Sequence, residues 1–217
     1  MDPETLFARF TEIAPVHLLK DVSSLRGVAF RLCERHRGWH GPAHVTRMLQ
    51  ELESVPHGED RDILALAAIY HDAVYDPRAT NNEEKSADLL LAHATDSSAP
   101  VIAKAAATIH ASKWTHATQD GISRKFFALD SWQLTDDCPL HERLNYERGI
   151  YREYQWAGWR TYREKRRDFL QSWADRFPEH KRGVNECIEL LYAFQLRLAV
   201  YPGSFNPFHR GHLSILR

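Results

Sequence analysis

Long apolar runs are missing from this sequence: no stretch approaches the roughly 20 residues needed to cross a bilayer, so a membrane role is not expected. Net charge is missing as well. Lys plus Arg is 28 against Asp plus Glu 29, a balance that gives no overall pull toward nucleic acid or anionic lipid. The opening residues, MDPETLFARF, lack the basic and apolar segments of a secretory signal. Cysteine is scarce: Cys33, Cys138 and Cys187 are odd in number and far apart. That excludes a disulfide framework and fits reduced packing residues of a cytoplasmic protein. There is no internal repeat and no low-complexity tract. With 217 residues the chain can bury one good core and a small appendage.

Histidine is abundant, at 13, with six tryptophans beside it. The spacing of apolar residues predicts helices almost throughout, up to Leu196. Helical stretches are expected over residues 16–36, 41–55, 60–75, 82–94, 98–114 and 124–134, then over two long amphipathic segments, 140–174 and 179–196. Cap and stop chemistry separates them: Gly38 and Gly41, Pro56 to Gly58, Pro77, Ser97 to Pro100, and Gly121. The expected fold is an all-α helical bundle over residues 1–196, with an incomplete strand-and-turn fragment over 197–217.

The run LALAAIYHDAVYDP, Leu64 to Pro77, sets His71 and Asp72 inside an apolar stretch. Burying an ionised carboxylate costs several kcal/mol unless something compensates it. A divalent cation would do so. His44, one helical turn after His40, and Asp130 in KFFALDSWQL supply a second imidazole and a second carboxylate. Such a mixed nitrogen and oxygen set suits manganese, iron, cobalt, nickel, zinc or magnesium. It leaves open positions for metal-assisted hydrolysis.

The ordered pieces WHGPAHVTRML, AAIYHDAVYDPRATNNEEKSA, IHASKW, FFALDSWQL and IYREY, spanning about Arg35 to Tyr154, resemble the HD-domain superfamily of metal-dependent phosphohydrolases. The closest resemblance is to a small all-helical group of predicted HD phosphohydrolases. The resemblance implies His44, His71, Asp72 and Asp130 as metal ligands. It also implies that Glu83 orients or activates water and that Lys113 meets phosphate. The sequence departs at Ala128, where an acidic residue is expected, and at Trp132, where a small aliphatic is usual.

Other residues admit two readings. His40 is either a neighbour of the helix start at Gly41 and Pro42 or a general acid near the leaving oxygen. Arg37 is either a surface residue or a phosphate contact through its planar fork. His110, which with His116 flanks Lys113, is structural or part of a second metal site. His36, His93, His141 and His180 sit among polar neighbours and are expected to be solvated. The Tyr-, Trp- and Arg-rich run from Tyr151 to Phe177 could stack nucleic acid bases, but its charges alternate in sign. A long helix packed on the bundle with a solvated face is expected instead, and nucleic acid is not an expected partner.

The tail YPGSFNPFHRGHLSIL resembles the first strand, turn and helix of cytidylyltransferase-like nucleotidyltransferases, with His209 and His212 in the HxGH position. A single βαβ unit needs ≈ 30 residues or more, so this fragment does not complete such a site. It is expected to be a short non-domain tail, the cut-off start of such a unit: either the natural chain continues or the gene was interrupted. The function expected from the whole is hydrolysis of a phosphomonoester or phosphoanhydride in a small, nucleotide-like metabolite. The alternative is a non-catalytic metal- or nucleotide-binding module that regulates an attached nucleotidyltransferase.

Overall fold

A computed structural model describes residues 1–113 and 121–196. Among the described residues the fold is all-α, with ten α-helices; the extended backbone is one isolated antiparallel bridge, Leu19 to Ala94. His116, and the tail with its expected strand, His209 and His212, lie outside the described residues.

Helix α1, Pro3–Ile13, has a start written in its first two residues. The Asp2 carboxylate accepts from the backbone N–H groups of Glu4 and Thr5, both at 3.1 Å, and Pro3 fills the first turn where no N–H is needed. Helices α2, Ser23–Leu32, and α3, Pro42–Glu51, follow. Helix α4, Glu59–Tyr70, is the central rod. Every residue from Ile63 to Tyr70 is buried, as in a helix that is apolar all round. Gly58, at φ 151°, opens it. Acidic Glu59, Asp60 and Asp62 lie in its first turn, where the helix dipole favours them.

Helices α5, Asn82–His93, and α6, Pro100–Ala111, pack together, and α6 also packs on α4. Helix α7, Gly121–Asp130, lies against α4 as well. Helices α8, Leu140–Tyr154, α9, Trp159–Arg176, and α10, Lys181–Leu196, form a second layer in which α10 packs on both others.

The helices therefore gather around two hydrophobic clusters. The first, from α1 to α7, is aliphatic and rich in alanine, with Leu6, Phe10, Leu25, Met48, Leu64, Ile69 and Ile109 among its members. The second is aromatic: Tyr146, Tyr162 and Trp173 join Leu170, Val184 and Leu191, with Trp39 and Phe127 against them.

The structure adds α1, which is not among the expected stretches, and replaces the expected stretch 16–36 by a short turn of 3-10 helix, Val16–Leu18, and α2; two further boundaries change with consequences for the site. The expected single stretch 140–174 is two helices, because Gly158 adopts φ 73° and turns the chain between α8 and α9. The stretch expected to run to residue 75 ends at Tyr70, so the HD pair sits at a helix end rather than inside a helix.

Candidate metal centre

Three helix-end geometries converge to make the site. His71 is the C-terminal cap of α4, still helical at φ −55° and ψ −35°, and Asp72 begins the turn that leaves it. At a helix terminus the chain is no longer held to the 100° divergence of helical neighbours, which lets adjacent side chains turn to one spot. His44 lies in the first turn of α3, and Asp130 is the last residue of α7.

The atoms meet closely. His44 Nε2 is 3.0 Å from Asp130 Oδ1 and 3.3 Å from His71 Nε2. His71 Nε2 lies 3.0 Å from Asp72 Oδ2 and 3.5 Å from Asp130 Oδ1. The donor atoms of His44, His71 and Asp72 all fall within 4.8 Å of one another. The imidazoles are walled in, while Asp72 and Asp130 keep 13% and 15% of their side-chain surface, so the site is reached from the carboxylate side. The sequence-derived set of four is thus brought together.

The protonation balance shows what this cluster lacks. Burial alone would lower the His71 pKa, but Asp72 and Asp130 outweigh it and raise it well above the usual imidazole value. Burial, reinforced by His71, lowers the pKa of His44 despite the pull of Asp130. The same partners hold both carboxylates below their ordinary range against the effect of burial. The acids outnumber the imidazoles whose pKa they raise: Asp72, Asp130 and Glu153 stand against His71 and His40. No Lys or Arg comes within ion-pair distance of either carboxylate among the described residues. Asp72 Oδ2 pairs with His71 Nε2 at 3.0 Å and meets no other donor among the described residues. The donor set and the missing positive charge fit a divalent cation held by His44, His71, Asp72 and Asp130. His71 also has the orientation that ligand histidines use, donating Nδ1–H to the Ala68 carbonyl at 3.0 Å. His44 Nδ1 is buried without such a partner.

The surrounding residues divide. Burial would lower the His40 pKa, but Asp72 and Glu153 raise it above the usual value. Its ring stacks on Tyr75 at 4.5 Å. Glu83, in the first turn of α5, is half-buried, and that burial raises its pKa although Lys113 acts the other way. Lys113, just past α6, is ion-paired with Glu84. Arg37 differs from the expected phosphate contact. Its side chain is 1% exposed, and its guanidinium donates to the carbonyls of His40 at 2.9 Å and Asp72 at 2.6 Å. It ties the loop before α3 to the turn that carries the HD pair. Ala128 is exposed, two residues before Asp130, and Trp132 lies under the Arg47 guanidinium, 4.5 Å from ring centre. The second-metal reading of His110 gains nothing from its position, which is exposed on α6.

Glu153 is the functional candidate that sequence reasoning missed. Its carboxylate is fully buried and accepts from the backbone N–H groups of Gly38, Trp39 and His40 at 2.8, 2.7 and 2.9 Å. His40 Nδ1 and the Tyr75 hydroxyl add two more contacts, each 2.7 Å. Burial raises its pKa, but His40 and these donors bring it down to about 2. One side chain from α8 thus fixes the loop before α3, the His40 ring and the strap after Asp72. A signal was present: Tyr146, Gly149, Ile150 and Glu153 recur at i, i+3, i+4 and i+7, and an acid on that inward stripe is out of pattern.

No family model matches this chain, and no solved structure matches it. Phosphopantetheine adenylyltransferases of Mycoplasma capricolum subsp. capricolum and Mycoplasma mycoides subsp. mycoides SC are each 68% identical to it over 22 residues, 10% of this chain. The chain spans 16% of the length of these curated relatives. The likeness is to a nucleotidyltransferase enzyme, of the class that the tail resembles. No helix among the described residues is long and apolar enough to cross a membrane.

Proposed function

We propose that this chain is a metal-dependent phosphohydrolase of the HD type, acting on a phosphomonoester or phosphoanhydride of a small, nucleotide-like metabolite. The observation that carries this reading is the convergence of His44, His71, Asp72 and Asp130, in which both carboxylates meet only imidazoles among the described residues. A divalent ion held there supplies Lewis acidity toward a phosphoryl group.

The chain's own residues supply the remaining roles. His40, whose Nδ1 meets Glu153 at 2.7 Å and whose pKa Asp72 and Glu153 raise against burial, can serve as the donor to a leaving oxygen. Glu153 and Tyr75 keep the imidazole in place by contact at 2.7 Å and by stacking. Glu83, whose pKa burial raises, can take a proton from attacking water. Lys113 can turn from Glu84 toward phosphate, since its side chain is 32% exposed. Arg37 acts indirectly, by holding the backbone at Asp72.

A panel of phosphorylated metabolites tested with manganese, cobalt, nickel and magnesium checks the proposal. Turnover that depends on metal and is lost in Asp72→Ala is expected. No turnover with any metal contradicts it. The short nucleotidyltransferase likeness favours one other reading, a regulatory module beside such an enzyme. In that case a nucleotide would bind and be recovered unchanged after long incubation.

A further inference from the structure

A second concave site lies beside α8, with a volume of about 660 Å³. Its α8 wall consists of Asn145, Arg148, Gly149 and Arg152, at i, i+3, i+4 and i+7, which places them on one helical face. Its floor is bare backbone. Gly149 meets Gly38 so closely that a Cβ on Gly149 would stand 2.7 Å from the Gly38 carbonyl oxygen and 3.0 Å from the Trp39 Cβ, so the two backbones can approach only as glycines. Tyr151 and Trp159, edge to face at 5.0 Å, close the aromatic side. None of His44, His71, Asp72 or Asp130 lines this cavity.

Its charge is basic and concentrated on one face of α8. Arg143, Arg166 and Arg167, from the same two helices, are paired with Glu186, Glu147 and Asp168. Arg148 and Arg152 are exposed, and neither has a carboxylate within ion-pair distance among the described residues. Two unneutralised guanidinium forks one turn apart suit the oxygens of a phosphate. The adjacent indole and phenol rings suit a planar base, and the volume lies within the range of small-molecule sites. A merely solvated helix face would show the same polar residues, but without a cavity closed on one side by the Tyr151 and Trp159 rings.

We propose that this cavity is a binding site for a phosphate ester carrying an aromatic ring, of the nucleoside monophosphate class, separate from the metal centre. Phosphate lies against Arg148 and Arg152, the base against Tyr151 and Trp159. Occupancy would bear on Gly38, whose N–H is held by Glu153.

Titration calorimetry of the full chain with adenosine monophosphate, adenosine and inorganic phosphate tests it. Adenosine monophosphate is expected to bind at least about tenfold more tightly than either fragment. Arg148→Ala and Arg152→Ala should each weaken it about tenfold, a loss typical of one charged contact. Asp72→Ala should leave it unchanged, so this site and the hydrolase reading fail separately. Both arginines are exposed and without ion pairs, so these variants should fold like the parent, which circular dichroism verifies. Absence of binding at millimolar nucleotide overturns the proposal. So does affinity that is lost in Asp72→Ala but kept in the arginine variants, or phosphate binding as tight as the nucleotide.

Discussion

Asp72 and Glu147 are both buried carboxylates, and the two halves of the molecule treat them differently. In the aromatic half, Glu147 is fully buried on α8 and grips Arg166 of α9 through two contacts, at 2.8 and 3.2 Å. Arg166 is held well above its ordinary pKa: burial opposes this, but Glu147 prevails. Its guanidinium also lies 4.8 Å from the Tyr146 ring centre. That charge is compensated within the protein. In the aliphatic half, Asp72 meets the His71 imidazole, which it shares with Asp130, and acts on the His40 ring, which Glu153 engages; no Lys or Arg pairs with it among the described residues. A fold able to pair one buried acid so fully leaves the other open. On the proposed reading, the difference separates a structural ion pair from a metal site.

The largest expected effect lies in the aromatic half. Glu147→Ala strands the Arg166 charge in the second core and should destabilise by about 3–5 kcal/mol, read as a lower midpoint in urea. A loss under about 1 kcal/mol would mean that the pair is not structural, and the contrast with Asp72 would collapse.

Ile69→Ala, in the aliphatic half beside the HD pair, should cost about 2–5 kcal/mol through the cavity it leaves, since Ile69 is fully buried. The urea midpoint measures this too. It sharpens the comparison by giving the cost of losing packing alone, against which any Asp72 variant is judged.

A smaller effect concerns pH. His71 has a raised pKa in the metal-free protein. It therefore contributes stability that is fully present below the ordinary imidazole value near 6.5 and is lost as pH rises through its folded value. Asp72 and Asp130 have lowered pKa values, so their contribution is present above the ordinary carboxylate range and lost as pH falls below it. A cation must displace the His71 proton. Its affinity should therefore rise about tenfold, or ~1.4 kcal/mol, for each pH unit below the folded His71 value and then level off. Calorimetry in buffers of different ionisation enthalpy would count the released proton. Binding independent of pH would break the account.

Much of this contrast was legible in the sequence, and the remainder was hidden for physical reasons. His44, His71, Asp72 and Asp130 stand out because polar residues interrupt apolar periodicity, and the all-α fold follows from that same periodicity. Three features were not legible. The end of α4 at Tyr70 depends on Ser86, which bonds Val74 at 3.0 Å from another helix, a tertiary contact that no local pattern records. The break at Gly158 was masked because amphipathic spacing continues on both sides of it. Arg37 looked like a free fork because the carbonyls that engage it become neighbours only after folding. Glu153 was readable, as an acid on an inward stripe, but only against a correct register for α8.

The central claim is that Asp72 is buried for the sake of a cation and not for the fold. Equilibrium dialysis of the purified chain against manganese or cobalt, for wild type and Asp72→Asn, tests it when paired with urea unfolding of both metal-free proteins. The account predicts that wild type retains the ion, that Asp72→Asn does not, and that metal-free Asp72→Asn loses clearly less stability than Glu147→Ala or Ile69→Ala. A wild type that binds no ion, with Asp72→Asn destabilised as strongly as Glu147→Ala, would make Asp72 a structural acid and contradict the account.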